Sequence, residues 1–258
     1  MDYNYHTHTY RCGHATGKEE EYIQRAIQCG MKHMGFSDHI PFRCSDGFEA
    51  GHRVQVAEAK DYVKDIAILR EKYKGQIDIK IGFEMEYYPE AFAAMRDGAI
   101  QFGAEYLILG QHFFGNEHDG HQHVIHETQS VEDLEKYTQL VTAAMQSGVI
   151  SYVAHPDMLN FVGDRMDYRK ETRKICELAC QLQIPLEINF LGIRGKRNYP
   201  NEAFWQIAGE VGAPVTFGLD AHDAQSAYDG ESLKIAESIV EKYALHYIGK
   251  PTIILLNQ

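Results

Sequence analysis

The feature that most constrains this chain is a repeated juxtaposition: a short apolar run, followed almost at once by histidine, glutamate or aspartate. Seven such runs can be marked, from Tyr3 to His8, Lys32 to Ser37, Ile77 to Glu84, Glu105 to Gly110, Val149 to Ala154, Pro185 to Phe190 and Pro214 to Leu219. They have strand length, and the gaps between them hold amphipathic stretches, a pattern that favours a parallel sheet with helical crossovers. The clearest helix runs over Val131 to Gln146, where Leu134, Tyr137, Leu140, Val141 and Ala144 recur at helical spacing and Gly148 follows as a stop. Others are expected over Tyr168 to Gln183 and Glu19 to Gln28. No GxGxxG follows the first run, so a seven- or eight-stranded α/β barrel is favoured over an open doubly wound sheet.

In a parallel barrel the strand ends converge on one rim, and functional side chains come from several of them. His6 and His8 close the first strand, two apart and therefore on one face. His39 follows the second, Glu84 ends the third, His112 follows the fourth and His155 the fifth. The seventh leads into Asp220-Ala221-His222, and His14 lies in the loop after the first. These nine residues are more than one ion of four to six coordination can use, whereas several ions sharing a carboxylate would use them all. Glu84 and Asp220 are the natural bridges, because a carboxylate offers two oxygens and an imidazole a single nitrogen. Imidazole with some carboxylate suits Zn, Fe or Mn.

The other histidines carry weaker signals. His118, His121, His123 and His126 crowd one polar stretch and read as a solvated loop, while His33, His52 and His246 lack a partner at ligand spacing, although His52 could touch substrate. The five cysteines form no CxxC, which argues against a disulfide framework or a thiolate zinc site. A formal charge of -12 provides no basic surface for nucleic acid or anionic membrane. The start lacks signal-peptide character and no apolar stretch approaches a membrane span, so a cytoplasmic location is expected. With no repeat, low-complexity tract or composition shift, residues 1–258 read as one domain. The oligomeric state is left open.

The His6/His8 pair, the Ser37-Asp38-His39 run, Glu84, His112, His155 and the Asp220/His222 pair together resemble the polymerase and histidinol phosphatase (PHP) family over nearly the whole chain. The resemblance implies a distorted (β/α)7 TIM-like barrel with three divalent ions. One ion would be held by His6, His8, Glu84 and Asp220, a second by Glu84, His112 and His155, and a third by His14, His39 and His222. The segment from Asn189 to Pro200, with its Asn-x-x-Gly-x-Arg and Tyr-Pro, is similar to that of the family's phosphatases. It implies hydrolysis of L-histidinol phosphate to L-histidinol and inorganic phosphate by a metal-activated hydroxide.

An acidic chain needs local cations to grip a phosphate monoester, and Arg165, Arg194 and Arg197 follow the fifth and sixth strands. Asp38 and His222 are candidates for the acid that protonates the leaving group. Two rival enzymes remain. An amidohydrolase-type barrel would share the first-strand pair and the last-strand Asp but would leave His14, His39 and His222 without a role. A PHP-type phosphatase or phosphodiesterase would take nucleotides, sugar phosphates or nucleic-acid ends instead. A non-enzymatic metal-bearing module is a further alternative.

Overall fold

The computed structural model describes residues 1–256. Eight parallel strands form one sheet in chain order: β1 (Tyr3–Asn4), β2 (His33–His39), β3 (Asp78–Met85), β4 (Tyr106–Leu109), β5 (Ile150–Val153), β6 (Leu186–Asn189), β7 (Pro214–Gly218) and β8 (His246–Tyr247). The crossovers carry α1 (Glu19–Gln28), α2 (Ala59–Lys72), α3 (Phe92–Phe102), α4 (Val131–Gln146), α5 (Arg165–Leu182), the paired α6 (Phe190–Arg194) and α7 (Glu202–Val211), and α8 (Gly230–Lys242). The architecture is a distorted TIM-like barrel.

All seven expected strands are present, and β8 is an addition. Its two exposed residues carry no apolar run that a sequence pattern could register. The ends of the sheet meet differently at the two rims. At the C-terminal rim, Thr7 bridges Ala221 in parallel, with His8 N donating to Ala221 O at 2.9 Å. At the other rim β8 pairs with β7, and the Tyr247 hydroxyl lies 3.0 Å from that of Tyr3. The barrel is therefore closed tightly where the candidate ligands emerge.

Local signals explain the helix bounds. Ser130 caps α4 by accepting from Asp133 N at 3.2 Å. Asp164 caps α5 by accepting from Met166 N and Asp167 N, so the helix starts earlier than the apolar periodicity indicates and takes in Arg165. No helix among the described residues is long and apolar enough to cross a membrane.

Two cores result. The larger lies between the sheet and its helices, and the smaller fills the barrel interior with Tyr3, Tyr5, Tyr106, Ile108, Tyr152 and Ala154. Tyr106 is fully buried and donates to the carbonyl of Tyr5 at 2.8 Å, with its ring edge-on to Tyr5. Residues from β1, β4 and β5 thus fill the space beneath the histidines that terminate the same strands. Tyr106→Ala is expected to cost about 3–5 kcal/mol, the range for truncating a large buried aromatic ring. Urea unfolding checks this, and a loss below about 1 kcal/mol would show that the interior tyrosines do not support the rim.

Candidate metal centre

The nine expected residues converge at the C-terminal rim. Glu84 is buried at the end of β3, and its oxygens face different histidines. Oε2 lies 3.6 Å from His6 Nε2, 3.5 Å from His8 Nε2 and 3.2 Å from His39 Nδ1. Oε1 lies 3.5 Å from His112 Nε2 and 2.9 Å from His155 Nε2. Asp220 Oδ1 lies 3.6 Å from His6 Nε2, 3.3 Å from His8 Nε2 and 3.3 Å from His222 Nδ1. His14 joins His39 and His222 in a group whose ligand atoms all lie within 4.8 Å of one another. Other such groups are His6 with His8 and Glu84, His39 with Glu84 and His112, His6 with His155 and Asp220, and His8 with His222 and Cys12, a thiol that cysteine spacing gave no reason to expect here. His155 therefore sits between the first and second expected sets rather than in the second alone.

The sequence builds this convergence by sparing space. A Cβ at Gly110, which follows β4, would lie 1.8 Å from Glu84 Oε1, and one at Gly218 would lie 1.9 Å from Glu187 Oε2. Backbone strain contributes as well: His155 has φ 32° and Asp220 φ 48°, left-handed values uncommon for non-glycine residues. The Arg194 guanidinium holds the second of these bends, donating to Leu219 O at 2.7 Å and Asp220 O at 2.5 Å.

Behind three of the histidines stand carboxylates. His6 Nδ1 lies 3.0 Å from Glu187 Oε2, His112 Nδ1 lies 2.8 Å from Glu86 Oε1, and His8 Nδ1 lies 3.4 Å from Asp38 Oδ1. At His6 and His112 the carboxylate hydrogen-bonds Nδ1, fixes the proton there and leaves Nε2 as an electron-pair donor, whereas Asp38 stands only at ion-pair distance from His8 Nδ1, which has no hydrogen-bond partner. Sequence reasoning missed Glu187 and Glu86 as functional residues. Their signal was a glutamate flanked by apolar residues in or directly after a buried strand, in Leu186-Glu187-Ile188 and Glu84-Met85-Glu86.

The donor set fits metal cations. His6 Nε2, His39 Nδ1, Glu84 Oε2 and Asp220 Oδ1 are buried atoms with no hydrogen-bond partner. Leaving each unsatisfied costs about 1–3 kcal/mol, more for charged groups. Protons respond to the same demand for positive charge. Burial disfavours the His6 imidazolium, yet Glu187, Asp220 and Glu84 outweigh it and raise its pKa to about 10. Burial likewise opposes the Glu84 anion, but the imidazoles of His112, His6 and His39 hold its carboxyl well below the usual range. His222 is pushed down to about 3 by burial and by the neighbouring His8.

The centre lies in a cavity of about 510 Å³, also lined by His52, Phe113, His123, Met158, Leu191 and Arg197. His123 is thus a wall residue rather than a solvated one, and its Nδ1 accepts from Ile125 N at 3.1 Å. His118 instead pairs with Asp46 at 2.6 Å, and His33 lies by Asp78 on the opposite rim.

Four expectations need correction. Arg165 is exposed at the start of α5 and lines a separate surface cavity with Phe161 and Tyr168, because the Asp164 cap turns the chain into helix there. Arg194 spends its donors on backbone carbonyls and does not line the cavity. Asp38 is buried behind His8, with oxygens accepting from Thr9 N at 3.0 Å and His39 N at 2.9 Å, so it is not placed to protonate a leaving group. His222 lines the cavity within the ligand group of His14 and His39, and an imidazole nitrogen that faces a metal ion has no proton to give a leaving group.

A parallel barrel with imidazole and carboxylate donors crowded at its C-terminal rim is the arrangement of a metal-dependent hydrolase. The PHP domain model matches residues 4–190, and the chain belongs to that family. It is 27% identical over 222 residues to a probable histidinol-phosphatase of Deinococcus radiodurans, covering 84% of this chain and 85% of the relative. It is 26% identical over 276 residues to a probable histidinol-phosphatase of Schizosaccharomyces pombe, covering 94% and 87%. Among solved structures, histidinol phosphate phosphatase from Lactococcus lactis, complexed with zinc, L-histidinol and phosphate, superimposes with a TM-score of 0.73 at 19% identity, covering 95% of each chain.

Metal ligation requires neutral imidazoles, so ions entering this centre must displace the proton held on His6. Metal binding at pH 7 is expected to release at least about one proton, and the apparent affinity to rise with pH by about tenfold per unit for each proton released. Calorimetric titration in two buffers of different ionisation heat measures this. Identical heats in both buffers would contradict the charge balance described.

Proposed function

We propose that this chain is a single-domain phosphatase that hydrolyses L-histidinol phosphate to L-histidinol and inorganic phosphate at a centre of three divalent ions. The observation that carries this reading is the Glu84–Asp220 pair inside a ring of seven histidines, opening on a cavity with Arg197 in its wall. The named activity of the relatives supports the substrate, and the zinc of the Lactococcus lactis complex supports zinc over iron or manganese.

In this reading His6, His8, Glu84 and Asp220 hold one ion, Glu84, His112 and His155 a second, and His14, His39 and His222 a third. Bound ions supply Lewis acidity toward phosphoryl oxygens and lower the pKa of water at the site. The chain's own residues bind and orient. Arg197 uses one guanidinium donor on the Tyr199 hydroxyl, at 2.9 Å, which braces the side chain against the cavity wall. Its remaining donors are suited to two oxygens of a phosphate in the fork geometry of guanidinium. The apolar Met158 and Leu191, with Phe113, exclude water from the rest of the cavity and suit an imidazole ring more than a sugar.

The test is a screen of metal-reconstituted protein on histidinol phosphate, sugar phosphates and nucleotides. Histidinol phosphate is expected to give the highest kcat/KM, and Arg197→Ala is expected to raise KM for it about ten- to hundredfold, the value of a charged hydrogen bond. Faster turnover of a nucleotide or sugar phosphate would transfer the proposal to that substrate, and an unchanged KM in Arg197→Ala would remove the phosphate role from Arg197.

A further inference from the structure

Arg53 is 1% exposed, among the largest fully buried side chains of the described residues, and none of the roles above uses it. It lies in the loop after β2, next to the cavity-lining His52. A buried guanidinium needs anions, and Arg53 has two. Its Nη1 lies 2.8 Å from Glu86 Oε2, and its Nε donates to Glu117 Oε1 at 2.6 Å. Its Nη2 donates to the Tyr88 hydroxyl at 3.2 Å, and that hydroxyl donates to Glu117 Oε2 at 2.8 Å.

Each partner leads to a different part of the site. Glu86, through its other oxygen, holds Nδ1 of His112 at 2.8 Å and so turns Nε2 toward Glu84. Glu117 belongs to the loop after β4, which carries Phe113 and His123 in the cavity wall. That loop is tied back to the same histidine, since Val124 N donates to His112 O at 2.8 Å.

We propose that Arg53 is a positioning residue that sets His112 for metal through Glu86 and, through Glu117, pins the loop carrying the Phe113 and His123 wall. The inference rests on the metal-centre reading. A cation behind a histidine's carboxylate is not a general need of this site: Glu187, behind His6, receives the Asn189 amide at 2.7 Å instead. Arg53 is placed there because one planar cation can face two carboxylates and a hydroxyl from two segments at once, the residues just after β3 and the loop after β4. Lysine, a point charge, cannot span them.

The geometry separates two effects. In the full chain, Glu86→Gln is expected to weaken zinc binding about 10–100-fold in a competitive chelator titration, with exchange of loop amides 113–126 unchanged. Glu117→Gln is expected to leave zinc affinity unchanged while raising that amide exchange, and to raise KM severalfold at saturating zinc with kcat little altered. Arg53→Met is expected to show both losses, and Arg53→Lys to recover zinc affinity more than loop protection. Circular dichroism checks folding in every variant. A folded Arg53→Met with native zinc affinity and native loop exchange overturns the proposal. If Arg53→Met does not fold, the two glutamine variants decide: both readouts moving together, or neither moving, overturns it. Zinc affinity and amide exchange do not depend on which ester is hydrolysed. Failure of the proposed activity would therefore appear separately, as zinc-loaded native protein that does not turn over histidinol phosphate.

Discussion

A single buried carboxylate organises this rim. Glu84 is 1% exposed, and five imidazoles approach its two oxygens from β1, β2, β4 and β5 or the segments that follow them. An anion at such a position is tolerated only if positive charge is supplied, by protons on histidine or by metal ions. Several features of the fold serve that arrangement. Gly110 carries no side chain where Glu84 lies, the Thr7–Ala221 bridge closes the sheet at the same rim, and interior tyrosines support the strand ends from below.

Around Glu84 the chain repeats one device, a histidine with a carboxylate behind it. Glu187, Glu86 and Asp38 each address the Nδ1 of a histidine that turns its other nitrogen inward. The consequence is a carboxylate-rich centre in a chain already at -12. An anionic substrate is attracted there only by bound ions and by Arg197, so catalysis and metal loading are coupled through electrostatics as well as chemistry.

The parts legible in the sequence were those marked by contrast. A histidine, glutamate or aspartate directly after an apolar run breaks the pattern, and this break marks Glu84, His112, His155 and Asp220 in the sequence itself. The bounds of α1 and α4 were legible because apolar periodicity and stop signals coincide with their ends. Roles that depend on three-dimensional hydrogen bonding were not legible. Arg194 and Arg197 are three residues apart in one segment, yet one clamps the Asp220 backbone and the other faces the cavity. Asp38 beside His39 looked like a catalytic acid, and only the fold shows it satisfied by backbone amides. Glu86, just past β3, and Glu187, within β6, were hidden because a charged residue in or beside a strand is usually exposed, whereas both are buried here. The two-residue β8 left no pattern to find.

The central claim is that this donor set exists to hold several cations around Glu84. Metal analysis of zinc-reconstituted protein beside Glu84→Ala tests it most directly. Three ions per chain are expected in the parent, with at least two lost and phosphatase turnover abolished in the variant. One ion or none in an active parent, or full metal content in Glu84→Ala, would contradict the account.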